Sequence, residues 1–162
     1  MKIETHGIRA AFFDIDGTLS VPRYMRGGKL MPGGSKEWWK SFCYTSPFAY
    51  QNCGIPVAIK WLLNALQRAG SCIFVLSEET VPEAEPQKRL FIRKRYKKWI
   101  PDGNIIFVPD KKMKPRLIAE TARRTGCRPE EFLFMDDSFD LVIEASMLGI
   151  SAHHISELLA YE

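Results

Sequence analysis

Five short apolar runs, each ending in polar residues, alternate along the chain with segments whose apolar residues recur at helical spacing. The apolar runs predict the strands Ile8–Asp14, Ser71–Ser77, Asn104–Val108, Glu131–Met135 and Ile150–His154. Strands that alternate with helices form a parallel sheet with right-handed crossovers and helices on both faces. The pattern therefore predicts an α/β fold, a three-layer Rossmann-like sandwich around a parallel sheet of about five strands.

Four segments have the helical spacing: Ile55–Ala69, Glu85–Trp99, Lys114–Thr125 and Phe139–Leu148. Gly70, Gly126 and Gly149 follow three of them directly, and glycine is common where helices end. Pro115 stands in the first turn of the third helix, where proline is tolerated best. These signals set the predicted helix boundaries.

Residues 20–52 interrupt the alternation of strands and helices. Glycines at four positions (Gly27, Gly28, Gly33 and Gly34) precede an aromatic-rich stretch, Glu37–Tyr50. Because long loops without structure are unusual unless they are functional, we expect a flap with a small helical insertion, a mini-cap over the first strand's end. The whole chain, 1–162, is expected to form one domain around it. Four aromatic residues are expected to form the insertion's own core, with stacking on a substrate base as the alternative: Trp38, Trp39, Phe42 and Phe48.

Composition and charge are those of an ordinary globular protein, with 46% hydrophobic and 26% charged residues. No apolar run approaches the roughly 18 to 20 residues of a membrane helix, and the amino terminus has no signal-peptide core, so a cytoplasmic location is expected. The net charge of +4 suits an anionic substrate but is too small to indicate nucleic-acid binding. Cys72 lies in an apolar run and is expected to be a buried thiol. The histidines lack ligand-like partners and are assigned no chemical role.

Polar side chains follow three of the predicted strands at their carboxyl ends, where ligands bind in open parallel sheets. They are Asp14 and Asp16 after the first strand, Ser77 after the second, and Asp136 and Asp137 after the fourth. Lys114 begins the helix before the fourth strand, on the same side of the sheet. The sequence therefore predicts one site that gathers these residues.

The residue types suit the hydrolysis of a phosphate ester. Asp14 is the predicted nucleophile, which forms an aspartyl-phosphate intermediate, and Asp16 protonates the leaving oxygen and later activates water. A carboxylate that attacks an anion needs a cation to suppress repulsion, and Mg²⁺ binds carboxylate, phosphate and water oxygens. A magnesium-dependent phosphatase acting on a small phosphorylated substrate is therefore the first hypothesis.

The remaining site residues support that chemistry. Ser77 is expected to donate a hydrogen bond to a phosphoryl oxygen, and Lys114 to neutralise charge on the nucleophile and the transferred group. Gly17 permits a sharp turn after the first strand, and Thr18 helps to hold the loop.

The segment Phe13–Leu19 (FDIDGTL) matches the first motif of the haloacid dehalogenase (HAD) superfamily of phosphohydrolases. Ser77 resembles its second motif, Lys114 its third and the Asp136–Asp137 pair its fourth, over a core from about Ile8 to His154. The resemblance implies a HAD-like fold and magnesium-dependent phosphatase activity. Asp16 is the residue that the family's phosphatases carry at this position, which points away from dehalogenation.

The resemblance also implies which neighbouring residues take part. Asp14, Asp16 and Asp137 are the implied metal ligands, since Gly149 stands at the usual distance after Asp137, and Asp136 is the alternative. Thr18, Ser77 and Lys114 are the implied phosphate-binding residues. Lys111 is the alternative to Lys114, which precedes its helix directly and stands at the usual distance before Gly126. The role of Asp140 is left open.

A narrower likeness concerns Trp39–Phe42, Ile55–Pro56 and the helix that ends at Gly70, which resemble phage-type polynucleotide kinase 3′-phosphatase domains. The basic segment Lys88–Trp99 resembles a helix of the same domains. This likeness implies a nucleic-acid or nucleotide 3′-phosphate as the alternative substrate. Its basic side chains either form a solvated helix face or contact a substrate backbone: Arg93, Lys94, Arg95, Lys97 and Lys98.

The two residues after Ser77 depart from the family pattern. Glu78 and Glu79 stand where Gly, Asn or Arg is more usual, and they would repel a polyanionic substrate unless they face away or bind a cationic group. This departure motivates a hypothesis of another class, a HAD-fold protein that binds a phosphate ligand and regulates with little turnover.

Overall fold

The structure, a computed structural model, describes residues 3–21, 23–26, 29–32, 49–80 and 82–158. Its strands are β1 (Ala10–Phe13), β2 (Arg23–Arg26), β3 (Lys29–Pro32), β4 (Cys72–Glu78), β5 (Ile105–Val108), β6 (Phe132–Asp136) and β7 (Ser151–His154). Its α-helices in the described residues are α1 (Val57–Arg68), α2 (Ala84–Tyr96), α3 (Met113–Thr125) and α4 (Phe139–Met147). Short 3₁₀ turns cover Ala49–Asn52, Asp102–Asn104, Pro129–Glu131 and Ile155–Leu158.

Five of the strands form one parallel sheet in the order β5-β4-β1-β6-β7. All four residues of β1 are buried, as the central strand of a sheet covered on both faces requires. Phe13 at its end lies between Val75 of β4 and Met135 of β6. The predicted five-stranded parallel sheet is confirmed, with boundaries that differ from the predicted ones by a few residues.

Helices cover the two faces of the sheet in pairs. Ala11 and Phe13 belong to a core that includes buried residues of α1 and α2. Ala10 and Phe12, which point to the opposite face because strand side chains alternate, belong to a core with α3 and α4. The predicted three-layer sandwich is therefore confirmed.

The predicted insertion lies between β1 and α1. β2 and β3 form a two-stranded antiparallel hairpin with Arg23 opposite Pro32, in the segment where a flap was expected. Residues 33–48 lie outside the described residues, together with Trp38, Trp39, Phe42 and Phe48. The helical insertion and its aromatic core remain a prediction.

Three local details refine the predicted boundaries. Helix α2 ends at Tyr96 rather than Trp99, and Gly126 ends α3 in the left-handed conformation at φ 69°. The prediction that Cys72 is buried was wrong, because Cys72 is the first residue of β4 and is exposed there. Within the described part of the chain, none of the helices combines the length and apolar character that crossing a membrane requires.

Candidate active site

The loop after β1 is a tight turn that leads from Asp14 to Ser20. The Asp14 N–H donates to Met135 O at 3.0 Å, and the Ser20 N–H donates back to Ile15 O at 2.7 Å. Gly17 has a φ of +80°, and a Cβ at this position would collide with the carboxyl group of Asp137. Glycine is therefore required at this position for two reasons, the left-handed backbone conformation and the close approach of Asp137.

Lys114 lies at the centre of the site. It stands in the first turn of α3, is only 2% exposed, and its Nζ lies 2.8 Å from Asp14 Oδ1 and 2.9 Å from Asp136 Oδ2. Burial alone lowers the pKa of Lys114, but the two carboxylates outweigh it and raise that pKa above its ordinary value. Lys114 is therefore a buried, charged group that joins the carboxyl ends of two predicted strands. Lys111, the alternative to Lys114 as the phosphate-binding lysine, donates its backbone N–H to Glu78 Oε1 at 3.2 Å.

Three carboxylates gather around this lysine. Asp14, Asp136 and Asp137 each offer an oxygen within 4.8 Å of the others. The pKa of Asp14 is raised to about 6 by burial, against the opposing charge of Lys114. Although Asp137 is exposed as a residue, its carboxyl group turns towards Gly17, and desolvation followed by the charges of Asp14 and Asp136 raises its pKa to about 7. Three carboxylates beside one ammonium group thus favour binding of a further cation.

The two neighbouring aspartates of the fourth motif have different surroundings. Asp136 is buried, with Oδ2 on Lys114 and Oδ1 accepting from the Ser138 N–H at 2.9 Å. Asp137 lies at the rim with its carboxyl group towards Gly17. Both aspartates belong to the cluster of three carboxylates, so the preference for Asp137 as metal ligand remains a prediction.

The Asp16 side chain does not belong to the cluster of three carboxylates formed by Asp14, Asp136 and Asp137. Its Oδ1 accepts a hydrogen bond from the Tyr50 hydroxyl at 2.6 Å, and its Oδ2 lies 2.9 Å from Lys88 Nζ. This position suits the predicted acid–base role, because the side chain remains 35% exposed in the same loop as the predicted nucleophile Asp14. The predicted role of Asp16 as a metal ligand remains a prediction.

Ser77 and Thr18 are both buried next to the loop. Ser77 is 1% exposed on β4, two residues beyond Val75, which pairs with Phe13 directly before the Asp14 loop. Thr18 is fully buried, and its hydroxyl has no hydrogen-bond partner among the described residues. The structure thus brings both residues to the same edge of the sheet as Asp14, while their contact with phosphate remains a prediction.

Glu78 and Glu79 have partners within the protein. Glu78 Oε1 accepts the Lys111 N–H, and Glu79 Oε2 lies 3.1 Å from Lys88 Nζ. Glu79 therefore has a cationic partner, as one of the two expected alternatives requires, whereas the partner of Glu78 is a backbone N–H.

His154, to which the sequence assigned no role, contacts the site. It ends β7 opposite Asp136 of β6, and its Nε2 lies 2.9 Å from the backbone oxygen of Asp137. A backbone oxygen only accepts, so Nε2 is the donor in this contact, and Nδ1 lies 2.6 Å from Ser156 Oγ. Its ring stacks on Phe139 with centroids 3.8 Å apart. The pairing of His154 with Asp136 is the signal that places His154 at the site. This signal depends on the register between β6 and β7, which is known only once the two strands are paired.

Lys88 and Tyr50 were also missed. Lys88 was grouped with a basic helix, yet it is 4% exposed and turns towards Asp16. Five other basic residues of that segment are exposed, as the solvated interpretation expects: Arg93, Lys94, Arg95, Lys97 and Lys98. Arg93 pairs with Asp102 through its Nε at 2.6 Å.

No protein-family model matches the chain, and neither does any curated protein sequence. Solved structures do match. A predicted phosphoglycolate phosphatase from Haemophilus somnus 129PT is similar over 96% of this chain and 92% of its own, with a TM-score of 0.58 and 13% identity. The chain has the HAD fold, which it shares with a HAD-family enzyme from Bacteroides thetaiotaomicron. The predicted HAD-like fold is thereby confirmed.

Two other structures extend the comparison of this HAD fold. The HAD-family enzyme bt-2542 from Bacteroides thetaiotaomicron matches over 96% of this chain and 100% of its own, with a TM-score of 0.54 and 15% identity. That enzyme has also been solved in complex with magnesium and inorganic phosphate. The chain spans only 22% of DsGPDH of Dunaliella salina, which covers 86% of this chain with a TM-score of 0.50 and 18% identity.

Proposed function

We propose that this protein is a magnesium-dependent phosphomonoester hydrolase in which Asp14 is the nucleophile. The observation that carries the proposal is the buried pair of Asp14 and Lys114 inside a group of three carboxylates, at the carboxyl edge of a parallel sheet. The HAD fold supports the same chemistry, since structures with this fold include a predicted phosphoglycolate phosphatase.

The donor set fits a magnesium ion. Mg²⁺ prefers oxygen ligands and is commonly bound through one or two carboxylates plus substrate phosphate and water. Asp14, Asp136 and Asp137 supply carboxylate oxygens within 4.8 Å of one another. Burial, and after it the charges of the neighbouring carboxylates, raises the pKa of Asp14 to about 6 and that of Asp137 to about 7 in spite of Lys114. Bound there, the ion would neutralise phosphate charge. The bt-2542 enzyme has been solved with magnesium and inorganic phosphate together.

The first step transfers the phosphoryl group to the protein. A carboxylate oxygen of Asp14 forms a bond to phosphorus while the bond from phosphorus to the ester oxygen breaks. Asp16 gives its proton to that leaving oxygen, which departs as an alcohol. Lys114 balances the charge of Asp14, and Ser77 donates a hydrogen bond to a phosphoryl oxygen.

The second step releases phosphate. Asp16, now a carboxylate, takes a proton from water while the water oxygen forms a bond to phosphorus. The bond from phosphorus to Asp14 breaks, which regenerates the carboxylate and frees inorganic phosphate. The 35% exposure of the Asp16 side chain supports this role, because water has access to it.

Phosphate release from a panel of aryl, sugar and nucleotide phosphates tests the proposal. Turnover is expected with magnesium and not with EDTA, and Asp14→Asn should abolish it. Asp102→Asn is the matched control, because Asp102 is an exposed residue paired with Arg93 away from the site. Undiminished turnover by Asp14→Asn would refute the mechanism. Tight binding of phosphate ligands by the wild type without hydrolysis would instead favour a binding or regulatory protein.

A nucleic-acid or nucleotide 3′-phosphate is the second candidate substrate, and one cavity favours it. Lys94 and Arg95 line a cavity of about 310 Å³ together with Tyr50, whose hydroxyl contacts Asp16. A basic cavity beside the acid–base residue suits an anionic substrate larger than its phosphate. Preference for 3′-phosphorylated oligonucleotides over sugar phosphates, lost in Lys94→Gln with Arg95→Gln, would support it. Equal rates on both substrate classes would reject it.

A further inference from the structure

Lys88 is a buried lysine whose ammonium group lies close to three oxygens. Its Nζ lies 2.8 Å from the Glu78 backbone oxygen, 2.9 Å from Asp16 Oδ2 and 3.1 Å from Glu79 Oε2. The contact with the Glu78 oxygen is a hydrogen bond, and those with the Asp16 and Glu79 carboxylates are ion pairs. Burial alone lowers the pKa of Lys88, but the carboxylates of Asp16 and Glu79 outweigh it and raise that pKa. Lys88 is therefore charged and ties the end of β4 to the loop after β1.

Tyr50 holds the other oxygen of the same carboxylate. Its hydroxyl donates to Asp16 Oδ1 at 2.6 Å, while the residue is only 3% exposed and its ring packs against Phe91 with centroids 6.1 Å apart. Both oxygens of Asp16 are thus fixed by buried donors from two different segments. The exposed part of Asp16 is left to meet a substrate or water.

We propose that Lys88 and Tyr50 are positioning residues that hold the Asp16 carboxylate in the orientation in which it takes a proton from water. The proposal rests on the phosphatase function proposed above. It also accounts for Glu79, which departs from the family pattern: Glu79 is a second counter-charge for Lys88, 8% exposed at its side chain. Positioning matters because general acid–base catalysis contributes about 10²- to 10⁴-fold, and a misplacement of about 1 Å costs on the order of 100-fold.

The two chemical steps make different demands on Asp16. A nitrophenolate leaves without needing a proton, so the first step on nitrophenyl phosphate does not need Asp16 in place. The second step needs Asp16 to take a proton from water with every substrate. Loss of positioning therefore slows release of phosphate while the first nitrophenolate still departs.

Rapid mixing with nitrophenyl phosphate and magnesium tests this. Tyr50→Phe removes only the hydroxyl, and we expect kcat to fall by about 10- to 100-fold while a burst of about one nitrophenolate per enzyme remains. Tyr96→Phe is the matched control, since its buried hydroxyl donates to Leu19 O at 2.6 Å in the same loop without touching Asp16. An unchanged kcat in Tyr50→Phe, or loss of the burst together with turnover, would overturn the proposal.

Lys88 is tested by Lys88→Met combined with Glu79→Gln, which avoids leaving the Glu79 carboxylate buried without its counter-charge. The same burst with slow turnover is expected. Crystal structures of the wild type, this double variant and Tyr50→Phe provide a readout that needs no turnover. Displacement of the Asp16 carboxylate in the variants supports the proposal, and an unmoved Asp16 in both overturns it. Absence of turnover in the wild type alone would instead count against the phosphatase function.

Discussion

Replacing Asp14 by Asn is expected to stabilise the metal-free protein even as it removes the nucleophile. Burial raises the pKa of Asp14 from its ordinary 3.8 to about 6, in spite of the ion pair with Lys114. Because the folded protein binds this proton more tightly than the unfolded chain does, ionising Asp14 lowers the free energy of unfolding. A rise of about two pKa units corresponds to on the order of 3 kcal/mol.

The sign of the effect gives it a defined pH window. Below pH 3.8 Asp14 is protonated in both states, so the wild type and Asp14→Asn should be equally stable. As the pH rises through 3.8 to about 6 the wild type loses stability, and above that range the whole difference is present. For a protein of 162 residues, 3 kcal/mol corresponds to a rise in Tm of about 6 to 12 °C in the variant.

Thermal unfolding followed by circular dichroism at several pH values in EDTA measures this difference. Asp102→Asn should change Tm little, because exposed ion pairs contribute little. Adding magnesium should reduce the difference in Tm between Asp14→Asn and the wild type, since the ion stabilises the folded wild type that binds it. If Asp14→Asn is no more stable than the wild type at pH 8 in EDTA, the electrostatic account of the site is refuted.

Three further predictions concern the metal and the loop. Gly17→Ala should weaken magnesium binding in calorimetry and lower Tm more than Gly70→Ala does. Both glycines have a φ of +80°, but only at Gly17 would a Cβ collide with Asp137. Equal losses in the two variants would contradict this. His154→Phe removes the hydrogen bond to the Asp137 backbone while keeping an aromatic ring to pack on Phe139. Magnesium affinity should fall about 10-fold. Unchanged affinity would show that His154 does not position Asp137. EDTA should abolish turnover, with full recovery on adding magnesium, and activity that persists in EDTA would exclude the metal-dependent mechanism.

Much of the fold was predictable because its signals are local. The central strand is apolar at every position from Ala10 to Phe13, as burial on both faces demands. Gly126 ends its helix through its own backbone conformation, which no distant contact is needed to explain. The burial of Cys72, the first residue of β4, was predicted wrongly, because an apolar run does not show which of its residues other elements cover.

The centre of the candidate site was also within reach of the sequence. Asp14, Ser77 and Asp136 follow predicted strands, and parallel strands bring their carboxyl ends to one edge. Lys114 could be added because it begins the helix on the same side. The sequence therefore predicted which residues gather, although the choice between Asp136 and Asp137 rested on the family resemblance alone.

Only the tertiary structure decided what surrounds Asp16 and Asp137. Lys88 looks like one more residue of a basic helix until α2 packs against the sheet and buries it beneath Asp16. Tyr50 reaches Asp16 across 34 positions of sequence, and His154 reaches Asp137 across 17. Such contacts have no periodic signature, because they depend on how separate elements pack and on the register of the strands. The sequence by itself determined the strands, the helices and the charged centre of the site, whereas packing determined which buried donors orient it.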